Sequence, residues 1–160
     1  MDIEARLIEL GLTLPEAPRP VGAYLPCVQS GSLLFLSGVL PFRNGKLVRT
    51  GKVGADVSPE DAAEDAAQTA LNALAVVRTH LDGFERLLRC VKLSGYVASA
   101  PDFYDHPKVL NGASELLFKL MGEAGRHARA AVGVSVLPMN SPVEIDFIFE
   151  VRTELTGGGG

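Results

Sequence analysis

The stretch "HARAAVGVSVLPMNSPVEIDFIFEV", residues 127–151, holds two apolar runs of different kinds joined by a short polar turn. The second run alternates cleanly, with Val143, Ile145, Phe147, Phe149 and Val151 against Glu144, Asp146, Ile148 and Glu150. A period of two places one set in a core and the other on an opposite face, so this is a strand. The first run is also strand-like, but it sets an arginine among alanines, glycine and valines. Alternation there predicts Val132, Val134 and Val136 on the helix-packed face, and Arg129, Ala131, Gly133 and Ser135 on the other. A nearly bare face lets a ligand or another chain approach the backbone. An arginine rising from it suits either a carboxylate or phosphate, or an interface ion pair with Glu144, Asp146 or Glu150.

Working back from these strands, "HPKVLNGASELLFKLMGEAG" predicts a helix from residue 106, with Leu110, Leu117, Leu120 and Met121 buried. "LLRCVKLSGYVAS" (87–99) predicts a strand with Val91, Leu93 and Val97 on one face and Cys90, Lys92 and Tyr96 on the other. The clearest helix is "SPEDAAEDAAQTALNALAVVRTHLDG" (58–83). Ser58 caps it, Pro59 suits its first turn, and Asp61 stands where a capping-box acid belongs. The stripe through Ala63, Ala66, Ala67, Ala70, Leu71, Leu74 and Val77 has small side chains that predict close packing on a sheet. Gly83 reads as the C-terminal stop.

Nearer the start, Ser30-Gly31-Ser32 separates two strands, and Asn44-Gly45 signals a second small hairpin. A short helix over residues 2–11 ends at Gly11. "LTLPEAPRPVG" then predicts an extended connector. The element order predicts an α+β fold: a single mixed β-sheet with two helices packed on one face, plus a short N-terminal helix. Residues 1–153 read as one domain, and the glycine-rich tail 154–160 as a disordered end.

The chain has 160 residues, 47% of them hydrophobic and 21% charged, a composition suited to a soluble folded protein. Its net charge is −4, with bases scattered rather than in runs, which argues against nucleic acid as a partner. No signal segment opens the chain and no apolar run approaches the roughly 20 residues of a membrane span. The expected place is the cytoplasm, with Cys27 and Cys90 as reduced, buried thiols. His80 and His106 read as surface residues, while His127 shares the face of Arg129. Three carboxylates on alternate positions of the last strand imply either a solvated face or burial against a symmetry-related sheet, with one acid recruited for proton transfer. No phosphate-loop, dinucleotide, serine-hydrolase or zinc motif is present.

The ordered set "GAYLP…LFLSGVLP…LNGASELLF…ARAAVGVSVLP…VEIDFIFEV" resembles the Rid (YjgF-like) family of reactive-intermediate imine deaminases, whose members are often named L-PSP endoribonucleases or translation inhibitors. The likeness runs from about Val21 to Val151, and Glu144 lies fifteen residues after Arg129, as in that family. The resemblance implies a chorismate-mutase-like protomer in a homotrimer with pockets between subunits, acting on a small carboxylate-bearing substrate with no cofactor, metal, nucleic acid or membrane. Arg129 would grip the carboxylate of a 2-imino or enamino acid. Glu144 would activate the water that releases ammonia and a 2-keto acid. Tyr24, Ser37, Gly38 and Asn111 would line the pocket, with the Ala131 backbone beside the water or imine nitrogen.

Ala131 replaces the family's usual cysteine. The N-terminal helix and connector are additions to the shortest members. "GEAGRHARAAVG", with Arg126 and His127, marks a longer branch. The same cleft without turnover would make a carboxylate-binding regulatory module. The endoribonuclease reading conflicts with the acidic charge and the missing basic groove. A simple hairpin between the last two strands would leave Glu144 about 23 Å along the strand from Arg129, so the resemblance requires the closing strand to insert elsewhere in the sheet.

Overall fold

The computed structural model describes residues 1–19 and 22–154. The glycine-rich tail expected to be disordered lies, from residue 155 on, outside the described residues. The elements run α1 (Ile3–Glu9), β1 (Cys27–Ser30), β2 (Leu33–Leu36), β3 (Phe42–Arg43), β4 (Lys46–Leu47), α2 (Pro59–Leu81), β5 (Leu87–Ala98), α3 (His106–Met121), β6 (Ala128–Val134) and β7 (Val143–Val151).

Local chemistry sets the element ends. Asp2 caps α1 by accepting from the Ala5 amide at 2.9 Å, and Ser58 caps α2 by accepting from Asp61 at 3.1 Å. At the other end of α2 the left-handed residue is Asp82, at φ 54°, one position before the expected Gly83. Asn44 and Gly45 take the two positive φ values, 52° and 78°, that join β3 to β4 in a tight hairpin.

Five strands form one mixed sheet in the order β1-β2-β7-β5-β6, and β3-β4 form a separate ribbon. β7 therefore does not pair with β6. It inserts between β2 and β5, antiparallel to both, while β6 lies parallel to β5 at the edge. Helices α2 and α3 cover one face, over a core that includes Leu74, Val77, Leu110, Leu117, Phe147 and Phe149. The two helices cross closely at Gly112, where a Cβ would strike the backbone carbonyl of Ala63. Helix α1 is tied to α3 by the Arg6 guanidinium, which donates to the Lys119 carbonyl.

Two expected faces are corrected. In β6, Arg129, Ala131 and Gly133 turn toward α3, and Val132 turns away. Leu93 pairs with Arg129 and Gly95 with Ala131, so those residues share the core side of β5. Val132 is 45% exposed and Val136 69%, far from the burial that the valine periodicity implied. The reason is space: the helix side at Gly133 is filled by the His106 ring, which a Cβ there would strike. In β5, register shifts near Leu87–Arg89 and Cys90–Lys92 interrupt the alternation. These irregularities put Cys90 in the core along with Leu93, against the expected outward face.

Along α2 a polar row is buried beside the apolar stripe: Asp65, Gln68 and Asn72. Asn72 donates to the carbonyls of Leu40 and Phe42 at 2.9 Å each and accepts from Gln68, whose own carbonyl oxygen accepts from Arg43. This ladder fastens the segment carrying β3 and β4 onto the helix. Asp65 has Arg49 at 3.6 Å, but its Oδ2 lacks a hydrogen-bond partner, and burial pushes its carboxyl up to about 6.

Candidate active site

Arg129 is positioned by α3. Its Nη1 donates to Asn111 Oδ1 at 2.9 Å and to Ser114 Oγ at 3.2 Å, residues three apart on one helix face. Ser114 is held in turn by His127, with Oγ to Nε2 at 2.9 Å. His127 Nδ1 lies 2.7 Å from the Gly125 carbonyl, so the ring carries its proton on Nδ1 and leaves Nε2 to accept from the serine. Burial first, and the nearby guanidinium of Arg129 as well, hold the His127 pKa below its ordinary value, which keeps the ring neutral and this chain of bonds intact. Among the described residues nothing bonds Arg129 Nε or Nη2, so one edge of the fork faces outward, suited to a carboxylate. The shallow pocket here is also lined by Glu115, Phe118 and Arg126. Arg126 itself lies over the Phe118 ring and pairs with Glu123 at 3.3 Å.

A second cluster forms where β2 runs out. β2 and β7 pair regularly through Phe35 and Ile148, and pairing resumes one residue out of step at Val39 and Ile145. Ser37 and Gly38 occupy the resulting bulge, a feature common beside active sites. The Ser37 hydroxyl donates to the Leu25 carbonyl at 2.6 Å and its amide to Pro26 at 2.9 Å, drawing in the segment that carries Tyr24. Gly38 sits against the Glu144 carboxylate so closely that a Cβ would strike Oε1. Burial, reinforced by the negative charge of Asp146, holds the Glu144 pKa above the usual carboxylate range. Asp146 accepts from the Tyr96 hydroxyl at 3.2 Å, and its charge pushes that phenol up.

The structure brings Arg129, Asn111 and Ala131 together on one side, and Tyr24, Ser37, Gly38 and Glu144 together on another. It does not unite the two groups within one chain. Arg129 shares the helix-covered side with its row partner Leu93, whereas Glu144, Tyr96 and Val132 form a row across the opposite face. Among the described residues that opposite face carries no helix, and it exposes Val28 (53%), Phe35 (41%) and Val132 (45%).

Sequence reasoning missed Ser114 and His106. Ser114 was detectable from its spacing to Asn111 on a predicted helix. His106, expected on the surface, is half-buried, 2.9 Å from Ser99 Oγ and edge-on to Phe103. Cys27 and Cys90 are free and buried as expected, and burial pushes the Cys90 thiol up to about 12. No group of three metal-ligating side chains occurs among the described residues, and none of the helices described is long and apolar enough to cross a membrane.

The family model described as "YjgF/chorismate_mutase-like, putative endoribonuclease" matches residues 4–151. The chain belongs to the YjgF/chorismate mutase-like family. It is 38% identical to Protein TCP17 of Trypanosoma cruzi over 151 residues, 94% of each chain. It is 29% identical to a 2-iminobutanoate/2-iminopropanoate deaminase of Dermatophagoides farinae, over 88% of this chain and 95% of that one. A solved structure of an Agrobacterium tumefaciens protein of unknown function superposes with a TM-score of 0.88 at 48% identity, over 94% of this chain and 92% of the other. The fold is thus shared with that protein along nearly the whole chain.

Proposed function

We propose that the protein is a homotrimeric deaminase that hydrolyses reactive 2-imino and enamino acids to 2-keto acids and ammonia, at sites between subunits. The observation that carries this reading is the division of the candidate site. One protomer presents an arginine fork and a desolvated carboxylate on opposite faces of its sheet, so each face needs a second copy. The helix-free face with Val28, Phe35 and Val132 is the surface such a copy would cover. The imine deaminase among the relatives supports the choice of reaction.

The chemistry asks little of the protein, because imines already react with water; orientation and one placed base suffice. Arg129 Nε and Nη2 hold the substrate carboxylate, while Asn111 and Ser114 keep the guanidinium plane fixed. Glu144, ionised, takes a proton as water adds to the imine carbon. The resulting carbinolamine accepts that proton on nitrogen; Glu144 then takes the hydroxyl proton as the carbonyl forms and the C–N bond breaks, and passes it to the departing ammonia, which leaves as ammonium. The backbones of Gly38 and Ala131 border the reacting atoms and leave room for water. Tyr24 stands at the mouth.

The direct test is an imine hydrolysis assay in which an amino-acid oxidase generates the imine and keto-acid release is timed with and without the protein. Glu144 must be ionised to act, so activity falls as pH drops through its raised pKa, and Glu144→Gln removes that limb of the profile. Asp146→Asn takes away the neighbouring negative charge and should shift the acid limb to lower pH. The limb stays above the ordinary glutamate range because burial, the larger cause, persists. An acid limb that does not move would show that another group controls it.

A further inference from the structure

A cavity of ≈ 940 Å³ adjoins the Glu144 cluster, sharing Tyr24, Ser37 and Gly38 with it. Its remaining walls come from four separate parts of the chain: Ala17 and Pro18 of the connector, Leu40 and Phe42, Val76 of α2, and Met139 of the β6–β7 loop are apolar, while Glu16, Arg19 and Asn44 give its rim charged and polar groups. Asn72 also borders it, but the amide of that side chain is committed to Leu40, Phe42 and Gln68.

Packing and hydrogen bonds hold these walls. The connector is pinned by buried Leu14, with Leu12 and Ala17 packed on the core. Pro15 and Pro18 fix their own φ angles within it. The opposite wall is fastened to α2 by the polar ladder through Asn72 and Gln68. A fixed apolar hollow of several hundred Å³ is the size that encloses a whole drug-sized ligand. A three- or four-carbon imino acid would leave most of it to water.

Resting on the deaminase reading, we infer that this cavity is the side-chain subsite, and that the substrates are 2-imino acids bearing a large apolar side chain, aliphatic or aromatic. The carboxylate goes to the arginine fork, the imine carbon stands at Gly38 and Glu144, and the side chain enters the hollow behind Ser37. The N-terminal connector is thereby a specificity element, because Ala17 and Pro18 supply part of the wall that the substrate side chain would meet.

Two measurements on the full-length protein test this separately from the reaction itself. The first compares kcat/KM for imines generated from phenylalanine and leucine with that for the imine from alanine. The second compares calorimetric binding of phenylpyruvate and pyruvate, which needs no turnover. Both should favour the larger compound by at least about tenfold, since each buried methylene contributes that order of discrimination. Ala17→Phe, which fills the hollow from the connector, should cut the large-over-small ratio about tenfold or more. Met139→Trp, reaching in from an exposed loop, should do the same if the first variant folds poorly. Preferential phenylpyruvate binding, lost in the variants but accompanied by no imine hydrolysis, would overturn the deaminase reading and leave the subsite standing. Equal treatment of large and small compounds by the parent, or an unchanged ratio in both variants, would overturn the subsite.

Discussion

Arg129→Ala is expected to lower kcat/KM for imine hydrolysis by about a hundredfold or more while leaving the assembled protein folded. The stability half of this expectation follows from exposure: Arg129 projects from an edge strand, and its bonds to Asn111 and Ser114 are solvent-accessible. Removing it leaves no buried charge behind. The activity half follows from geometry, since Nε and Nη2 are the donors left for a substrate carboxylate. Arg129→Lys should recover little, because an ammonium cannot reproduce the paired donors or hold a plane against Asn111. Parallel loss of keto-acid binding, measured calorimetrically, would assign the defect to the clamp. Imine hydrolysis by Arg129→Ala at the parent's rate would remove the arginine from the mechanism.

Gly38→Ala should lower kcat about a hundredfold with a small effect on stability. The added methyl meets the Glu144 carboxylate, the far end of a flexible side chain, so the fold yields by swinging that group aside. A displacement of about 1 Å at a catalytic group is enough for a loss of that order. Two features separate this from general damage. The acid limb assigned to Glu144 should change with the variant. Adding Glu144→Gln on top of Gly38→Ala should cost almost nothing more, because both act on the same carboxylate. Full additivity of the two changes would mean that Gly38 acts elsewhere.

What could be read without a structure depended on how strongly each segment is constrained. β7 alternates legibly because its two sides meet different surroundings, a helix-lined core and a helix-free face, along all nine residues from Val143 to Val151. The α2 cap and the Asn44-Gly45 turn are legible because local chemistry alone sets them. β6 misled for a physical reason. At a sheet edge, smallness is demanded on the side where α3 and His106 crowd the strand, and the valines are left facing outward. Periodicity reports which side is apolar, and here the apolar side is the one with no partner in the same chain. The irregularities in β5 break alternation without any glycine or proline at Cys90 to announce them. Arg129 stands out by residue type, and Glu144 is set apart from Asp146 and Glu150 only by the family resemblance, but neither reveals their placement on opposite faces. That depends on β7 entering the sheet between β2 and β5, a non-local pairing that no local pattern encodes.

The division of the site between copies is tested most directly by mixing two impaired variants. Arg129→Ala retains the Glu144 cluster, and Glu144→Gln retains the arginine fork. Unfolded together at equal amounts, refolded, and assayed for imine hydrolysis, they should recover activity at about a quarter of the sites, the fraction in which the two intact halves face each other around a closed ring. Each variant refolded alone should keep only its residual rate, about a hundredfold below the parent. Mixed assemblies, verified by a size tag on one variant, that show no more activity than the separate proteins would contradict a site shared between subunits.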